Sequence, residues 1–193
     1  MRNATKKPTT NQVRIIGGMH KRRLLSFLDI DGLRPTPDRL RETLFNWLMS
    51  DMLDATVLDV CAGSGVLGFE ALSRGAKSVV MIEPSKQAGE LSKNAKILNC
   101  TAQLHLINTT AQNALPTLNT PFDVIFLDPP YDLNLWQSLL DLIIMHGLYH
   151  DDTLIYSESN RPLTEVFTTP IELIKSTKIG QIHAGIFRLD PTP

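Results

Sequence analysis

LDVCAGSGVLGFEAL, residues 58–72, is the stretch on which the fold turns. An apolar run reaches Asp59, glycines follow at Gly63, Gly65 and Gly68, and helix-forming residues resume around Ser64. The spacing is G-x-G-x-x-G. Glycines between a strand and a helix allow a tight turn and let the backbone approach a ligand closely at the carboxyl edge of a parallel sheet. Glu83 closes the next apolar run, twenty residues after Gly63, where a carboxylate can accept hydrogen bonds from ribose hydroxyls. The glycines and Glu83 alone fit a nicotinamide dinucleotide and a nucleoside sulfonium equally well. Asp59 separates the two. A carboxylate at that strand mouth suits the ammonium of a methionine moiety and would repel a pyrophosphate in a low-dielectric cleft. Cys61 reads as a small packing residue, since no cationic neighbour is evident to lower its pKa.

Outward from this loop, apolar strand patterns alternate with helical ones. Strands are expected at 55–60, 77–83, 102–108, 122–128 and 152–158, with helices over 64–75, 85–99 and 134–147 between them. Residues 171–189 read as two further strands with a turn near Gly180. Repeated strand–helix units imply an α/β fold with a mostly parallel sheet covered on both faces, here closed by an antiparallel edge pair. Upstream, 13–28 reads as a hairpin or bulged strand pair separated at Gly17-Gly18, followed by a helix with Thr36 as N-cap and Pro37 in its first position. Leu40, Leu44, Trp47 and Leu48 share that helix's core-facing side. The expected organisation is a flexible basic tail over 1–12, a hairpin extension over 13–36 and the main domain over 37–193.

Composition narrows the class. With 193 residues, 42% of them hydrophobic and 20% charged, the chain suits one soluble domain. Two cysteines make neither a disulfide framework nor a metal pattern, which points to a reducing cytoplasmic setting. His20, His105, His146, His150 and His183 are scattered without ligand spacing, so no metal is expected. No run of about 18 apolar residues reads as a membrane span, and the first residues lack the apolar core of a secretory signal. Charge is uneven. Residues 1–41 hold ten Lys/Arg against three acids, a net +7, and the remainder carries −8. A basic arm on an acidic body suggests a polyanionic partner. Within it, Arg14, Lys21, Arg22, Arg23, Arg34 and Thr36 are the candidate contacts.

FLDPPYD, residues 126–132, ends a buried strand with an acid, two prolines and a tyrosine. Prolines stop the strand because they lack a ladder N–H. The end of such a strand shares a crevice with Asp59 and Glu83. The set suits methyl transfer to an exocyclic amine on a planar base. The lone pair of such an amine is delocalised into the ring. Two acceptors, the Asp128 carboxylate and the Pro129 carbonyl held by the Pro129-Pro130 turn, can hydrogen-bond its N–H groups and turn the lone pair toward the methyl. Tyr131 can stack on the base.

DPPY is similar to the amino-methyltransferase motif of the class I S-adenosylmethionine-dependent enzymes. With RIIGG, GLRPTPDRLRETLFNWL, AGSGVLGFEALSRGA and LDPPY, the chain resembles the RsmD family from about Arg14 to Leu189. DPPY is shared with adenine methyltransferases, so the N-terminal segments carry the specificity. The resemblance implies a Rossmann-like seven-stranded sheet and S-adenosylmethionine as donor. Its implied target is the N2 amine of the guanine at position 966 of small-subunit ribosomal RNA, in a 30S particle or its precursor, with the enzyme acting as a monomer. Asp59, Gly63, Gly65 and Glu83 would hold the cofactor, and Asp128, Pro129, Pro130 and Tyr131 the target. Relatives often place Asp or Asn at the adenine edge. Here the sequence reads NTTAQ, and Thr110, followed by Ala111, fills that position. An adenine-N6 methyltransferase and a non-catalytic assembly factor are the competing readings.

Overall fold

The computed structural model describes residues 9–30 and 33–190. The chain opens with strands β1 (Thr10–Arg14) and β2 (Leu24–Leu28), an antiparallel pair, and helix α1 (Asp38–Trp47). Alternation then begins with β3 (Thr56–Asp59), α2 (Val66–Ser73), β4 (Ser78–Ile82), α3 (Gln87–Ile97), β5 (Leu104–Ile107) and α4 (Ala111–Ala114). It continues with β6 (Val124–Leu127), α5 (Trp136–Met145), β7 (Leu154–Ser159) and α6 (Leu163–Val166), and ends in β8 (Ile171–Ile179) and β9 (Ile182–Leu189).

The seven-stranded sheet has the order β5-β4-β3-β6-β7-β9-β8. The first five strands pair in parallel, and β9 runs antiparallel to both its neighbours. The expected antiparallel edge pair is present, formed by β9 and β8. The last strand in sequence lies inside, against β7, and β8 forms the edge. Burial gives the reason: β9 buries Ala184 to Phe187, whereas most of β8 is exposed. Strand order reverses between β3 and β6, which marks the crevice where ligands bind in such sheets.

The central strands are apolar on both faces, as parallel strands under two helical layers must be. Val57, Val79, Met81, Val124, Phe126 and Tyr156 pack with α1, α2, α3 and the hairpin. Leu58, Ile82, Ile125, Leu127 and Ile155 face the other layer, with Trp136, Leu139 and Ile143 of α5. Hairpin residues Val13, Ile15, Leu25 and Phe27 belong to the first of these cores. The extension therefore shares its core with the main domain.

Two local expectations need correcting, and the glycines of the hairpin have a second role. The strand expected to begin at residue 13 begins at Thr10, where Thr10, Asn11 and Gln12 pair with Leu28, Phe27 and Ser26, so part of the expected tail is ordered in a ladder. Residues 1–8 of that tail lie outside the described residues. Gly17 and Gly18 serve a close approach to α2 as well as the turn. A Cβ on Gly18, whose φ is +71°, would stand 1.8 Å from the Ser73 carbonyl oxygen. The N-cap of α1 is Pro37 and makes no side-chain cap; the Thr36 hydroxyl is engaged elsewhere.

Arg41, counted in the basic arm, is fully buried. It donates to the Thr36 carbonyl (3.0 Å), the Arg14 carbonyl (2.8 Å), Glu70 (2.8 Å) and Asp38 (2.5 Å). Glu70 in turn accepts from the Ile16 N–H at 2.6 Å. A buried carboxylate stripped of its guanidinium costs about 3–5 kcal/mol, so Arg41 clamps the extension to α2 and does not face a phosphate. Asn94 and Gln87 of α3 bind the backbone of β2 at Ser26 and Leu28, completing the docking.

Candidate active site

The glycine loop leaves β3 at Asp59 and enters α2 through Gly65, which is left-handed at φ +76°. Gly68 lies where α2 crosses the sheet. A Cβ there would meet Met81 Cε at 2.4 Å, Val79 Cγ1 at 3.1 Å and Asp59 Oδ2 at 3.3 Å, so a side chain would displace the Met81 tip and crowd Asp59. In the space the glycine leaves, the Gly68 N–H donates to Asp59 Oδ2 at 3.2 Å. Asp59 is buried, and its pKa is raised from 3.8 to about 7 by burial, opposed by the Gly68 bond and reinforced by Glu83. Glu83, also buried, accepts from the Gly63 N–H at 3.0 Å and the Ser85 N–H at 2.9 Å, one on each oxygen. A carboxylate offers about four lone-pair sites, so these two bonds fix Glu83 without exhausting it. Leu33 covers the loop, its Cδ1 only 2.9 Å from where a Gly63 Cβ would stand.

Asp128 follows the end of β6. Its Oδ1 is buried with no hydrogen-bond partner among the described residues. Burial, then Glu158 and Asp59, push its pKa well above the ordinary value. A buried acceptor without a donor costs about 1–3 kcal/mol, and such groups in a native fold call for an explanation. The Pro130 carbonyl accepts from the Leu133 N–H at 3.1 Å, closing the turn over Tyr131–Leu133. The Tyr131 ring lies 5.6 Å from Trp136, tilted by 43°. Burial, with Asp128 and Glu158 behind it, drives the Tyr131 hydroxyl pKa up, so the hydroxyl stays protonated.

Cys61 marks where the acids converge. Its thiol is pushed up by burial and then by Asp128, Asp59 and Glu83 together. A thiol so surrounded is inert, in keeping with a packing role. Among the described residues no group of three or more His, Cys, Asp or Glu could hold a metal ion.

The expected RNA contacts do not lie together. Arg34 is exposed beside Leu33, next to the glycine loop. Lys21, Arg22 and Arg23 are exposed at the hairpin turn, which binds Ser73 at the far end of α2. Eight helical residues separate the two places, about 12 Å at 1.5 Å per residue. Arg14 is exposed on β1. Thr36 is buried and donates its hydroxyl to Glu158 at 2.8 Å, which takes it away from any surface contact. Thr110 is exposed at the N-cap of α4, and Ala111 behind it is buried.

Two neighbours were missed. Asn108, at the end of β5, donates to the Glu83 carbonyl at 2.7 Å and the Ser85 carbonyl at 3.2 Å, tying β5 to the Glu83 turn. Glu158, buried in β7, accepts from Thr36 and from the Tyr156 hydroxyl (3.0 Å), and the Trp136 indole N–H binds its carbonyl at 2.8 Å. The sequence held a signal for it. Asp59, Glu83 and Asp128 all end apolar strand runs, and Glu158 stands at the same place in LIYSE.

A family model described as conserved hypothetical protein 95 matches residues 13–188. Ribosomal RNA small subunit methyltransferase D of Haemophilus influenzae is 44% identical over 181 residues, covering 92% of this chain and 94% of that protein. This chain belongs to the RsmD family. The RsmD relative of Escherichia coli K12 is 42% identical, covering 80% of this chain and 79% of its own length. A solved structure of the Escherichia coli methyltransferase yhhF superposes with a TM-score of 0.84 at 36% identity, over 94% of this chain and all of that one.

Proposed function

We propose that the protein transfers a methyl group from S-adenosylmethionine to the exocyclic N2 amine of a guanine in small-subunit ribosomal RNA, the guanine at position 966 being the target the family name implies. One observation carries the reading: Asp128, at the sheet's switch point, holds a buried acceptor oxygen with no donor among the described residues. An amine N–H supplies that donor. The Pro130 carbonyl already accepts the Leu133 N–H that closes its turn, and the Pro129 carbonyl takes the second N–H. With both N–H groups held, the nitrogen lone pair is freed from the ring and directed at the methyl carbon. Tyr131, protonated, offers its ring face and no base.

The residues fit the cofactor. Asp59 is a buried carboxylate with no cation against it among the described residues, Glu83 is fixed at the second strand with lone pairs to spare, and Gly65 gives the loop its bend. S-adenosylmethionine supplies a methyl group on a sulfonium. Asp59 takes its ammonium, Glu83 its ribose hydroxyls, and Thr110 and Ala111 line the adenine edge. Arg34, Arg14 and the Lys21–Arg23 turn meet RNA phosphates, with residues 13–36 as the RNA-facing extension of a monomer. A ribosomal substrate, within a 30S particle or its precursor, places the protein in the cytoplasm; no helix among the described residues is long and apolar enough to cross a membrane.

Asp128→Ala tests this directly. Its loss acts on the transition state, so methyl transfer to small subunits should fall at least a hundredfold while calorimetric affinity for S-adenosylmethionine changes only a few-fold. Near wild-type turnover in this variant would contradict the mechanism.

A further inference from the structure

Beside Asp128 stands a second carboxylate. Strands β6 and β7 run parallel with Leu127 opposite Ser157, so the next residues, Asp128 and Glu158, lie side by side with side chains on one face. Adjacent strands are about 4.8 Å apart, which places the two carboxyl groups in mutual reach. Glu158 is held from three directions. Thr36, from the segment before α1, and Tyr156 both donate to its Oε1, and Trp136 of α5 binds its carbonyl. Burial raises the pKa of both acids, and Glu158 pushes that of Asp128 further up, while the bonds from Thr36 and Tyr156 favour the charge on Glu158. Two buried acceptors fixed side by side call for two donors side by side.

Nucleobase edges differ in this respect. Guanine presents N1–H next to its N2 amine, donor beside donor. Adenine and cytosine present their amine next to a ring nitrogen lone pair, donor beside acceptor. We propose that Glu158 is a specificity-determining residue that accepts the N1–H of the target guanine while Asp128 accepts from N2. The inference rests on the methylation of a guanine amine proposed above and adds the element that rejects other bases. Adenine in the same place would set its N1 lone pair against the Glu158 carboxylate, and sites built to receive a substrate N–H reject analogues lacking it strongly.

2-Aminopurine separates the two ideas, because it keeps the 2-amino group and lacks the N1–H. Small-subunit RNA carrying guanine or 2-aminopurine at the methylated position would be compared at limiting concentration. The wild-type protein should methylate the 2-aminopurine RNA at least a hundredfold more slowly. Glu158→Gln, whose carboxamide can present an N–H to the bare ring nitrogen, should narrow that gap below tenfold with S-adenosylmethionine affinity retained. A wild-type rate on 2-aminopurine within threefold of guanine would overturn the proposal even if the variant failed to fold. So would a folded Glu158→Gln protein that kept the hundredfold gap. Failure of the wild type on the guanine RNA itself would instead sink the proposed function, and this inference with it.

Discussion

Replacing Asp59 with asparagine should stabilise the cofactor-free protein while weakening its hold on S-adenosylmethionine. The Asp59 carboxyl ionises at about 7 in the fold and at 3.8 ordinarily, chiefly because it is buried. Between those values the folded state binds the extra proton and the unfolded chain does not, so stability falls as pH rises from about 4 to about 7 and is flat above. The gap corresponds to about 4 kcal/mol at pH 8 and about 1.5 kcal/mol at pH 5, at roughly 1.4 kcal/mol per tenfold change in proton affinity. Asparagine keeps an oxygen for the Gly68 N–H and has no charge to desolvate. Urea unfolding without cofactor should therefore show Asp59→Asn more stable than wild type, by up to about 4 kcal/mol at pH 8 and by less at pH 5. Calorimetry should show S-adenosylmethionine binding weakened about 10- to 100-fold, the worth of one charge-assisted contact of about 1.5–3 kcal/mol. A variant no more stable at pH 8, or one that binds the cofactor as tightly as wild type, would refute Asp59 as the ammonium ligand.

Tyr131→Phe should keep most activity, since its protonated hydroxyl takes no part, whereas Tyr131→Ala should lose the stacking contribution of about 1–3 kcal/mol in kcat/KM; a larger loss for Phe than for Ala would make the hydroxyl the working group. Replacing Lys21, Arg22 and Arg23 together by Ala should weaken RNA binding and flatten its log–log salt slope by about two, at roughly 0.7 per phosphate contact on single strands, with cofactor affinity intact. An unaltered slope would show that the RNA does not reach the hairpin turn.

The main sheet was legible because its strands are apolar on both faces and end in acids. Val57 and Leu58 both bury fully, on opposite sides, and the pattern stops at Asp59. The glycine spacing located α2, although the packing demand at Gly68 needs the Met81 contact to be seen. What sequence could not convey was long-range pairing. Thr36 reads as an N-cap from its neighbours alone, yet its hydroxyl meets Glu158, 122 residues away. Arg41 counts as surface charge until Glu70 is brought against it. The order of β8 and β9 is likewise a matter of which strand offers the apolar face to β7, and alternation alone does not rank them.

Nucleoside analysis of the product tests the proposed chemistry most directly. Small subunits from cells lacking this protein would be incubated with the purified chain and S-adenosylmethionine, and the RNA digested and resolved by mass spectrometry. One new modified nucleoside is expected, N2-methylguanosine, close to one per subunit and absent with Asp128→Ala. N6-methyladenosine in its place, or no methylated nucleoside at all, would contradict the proposed chemistry.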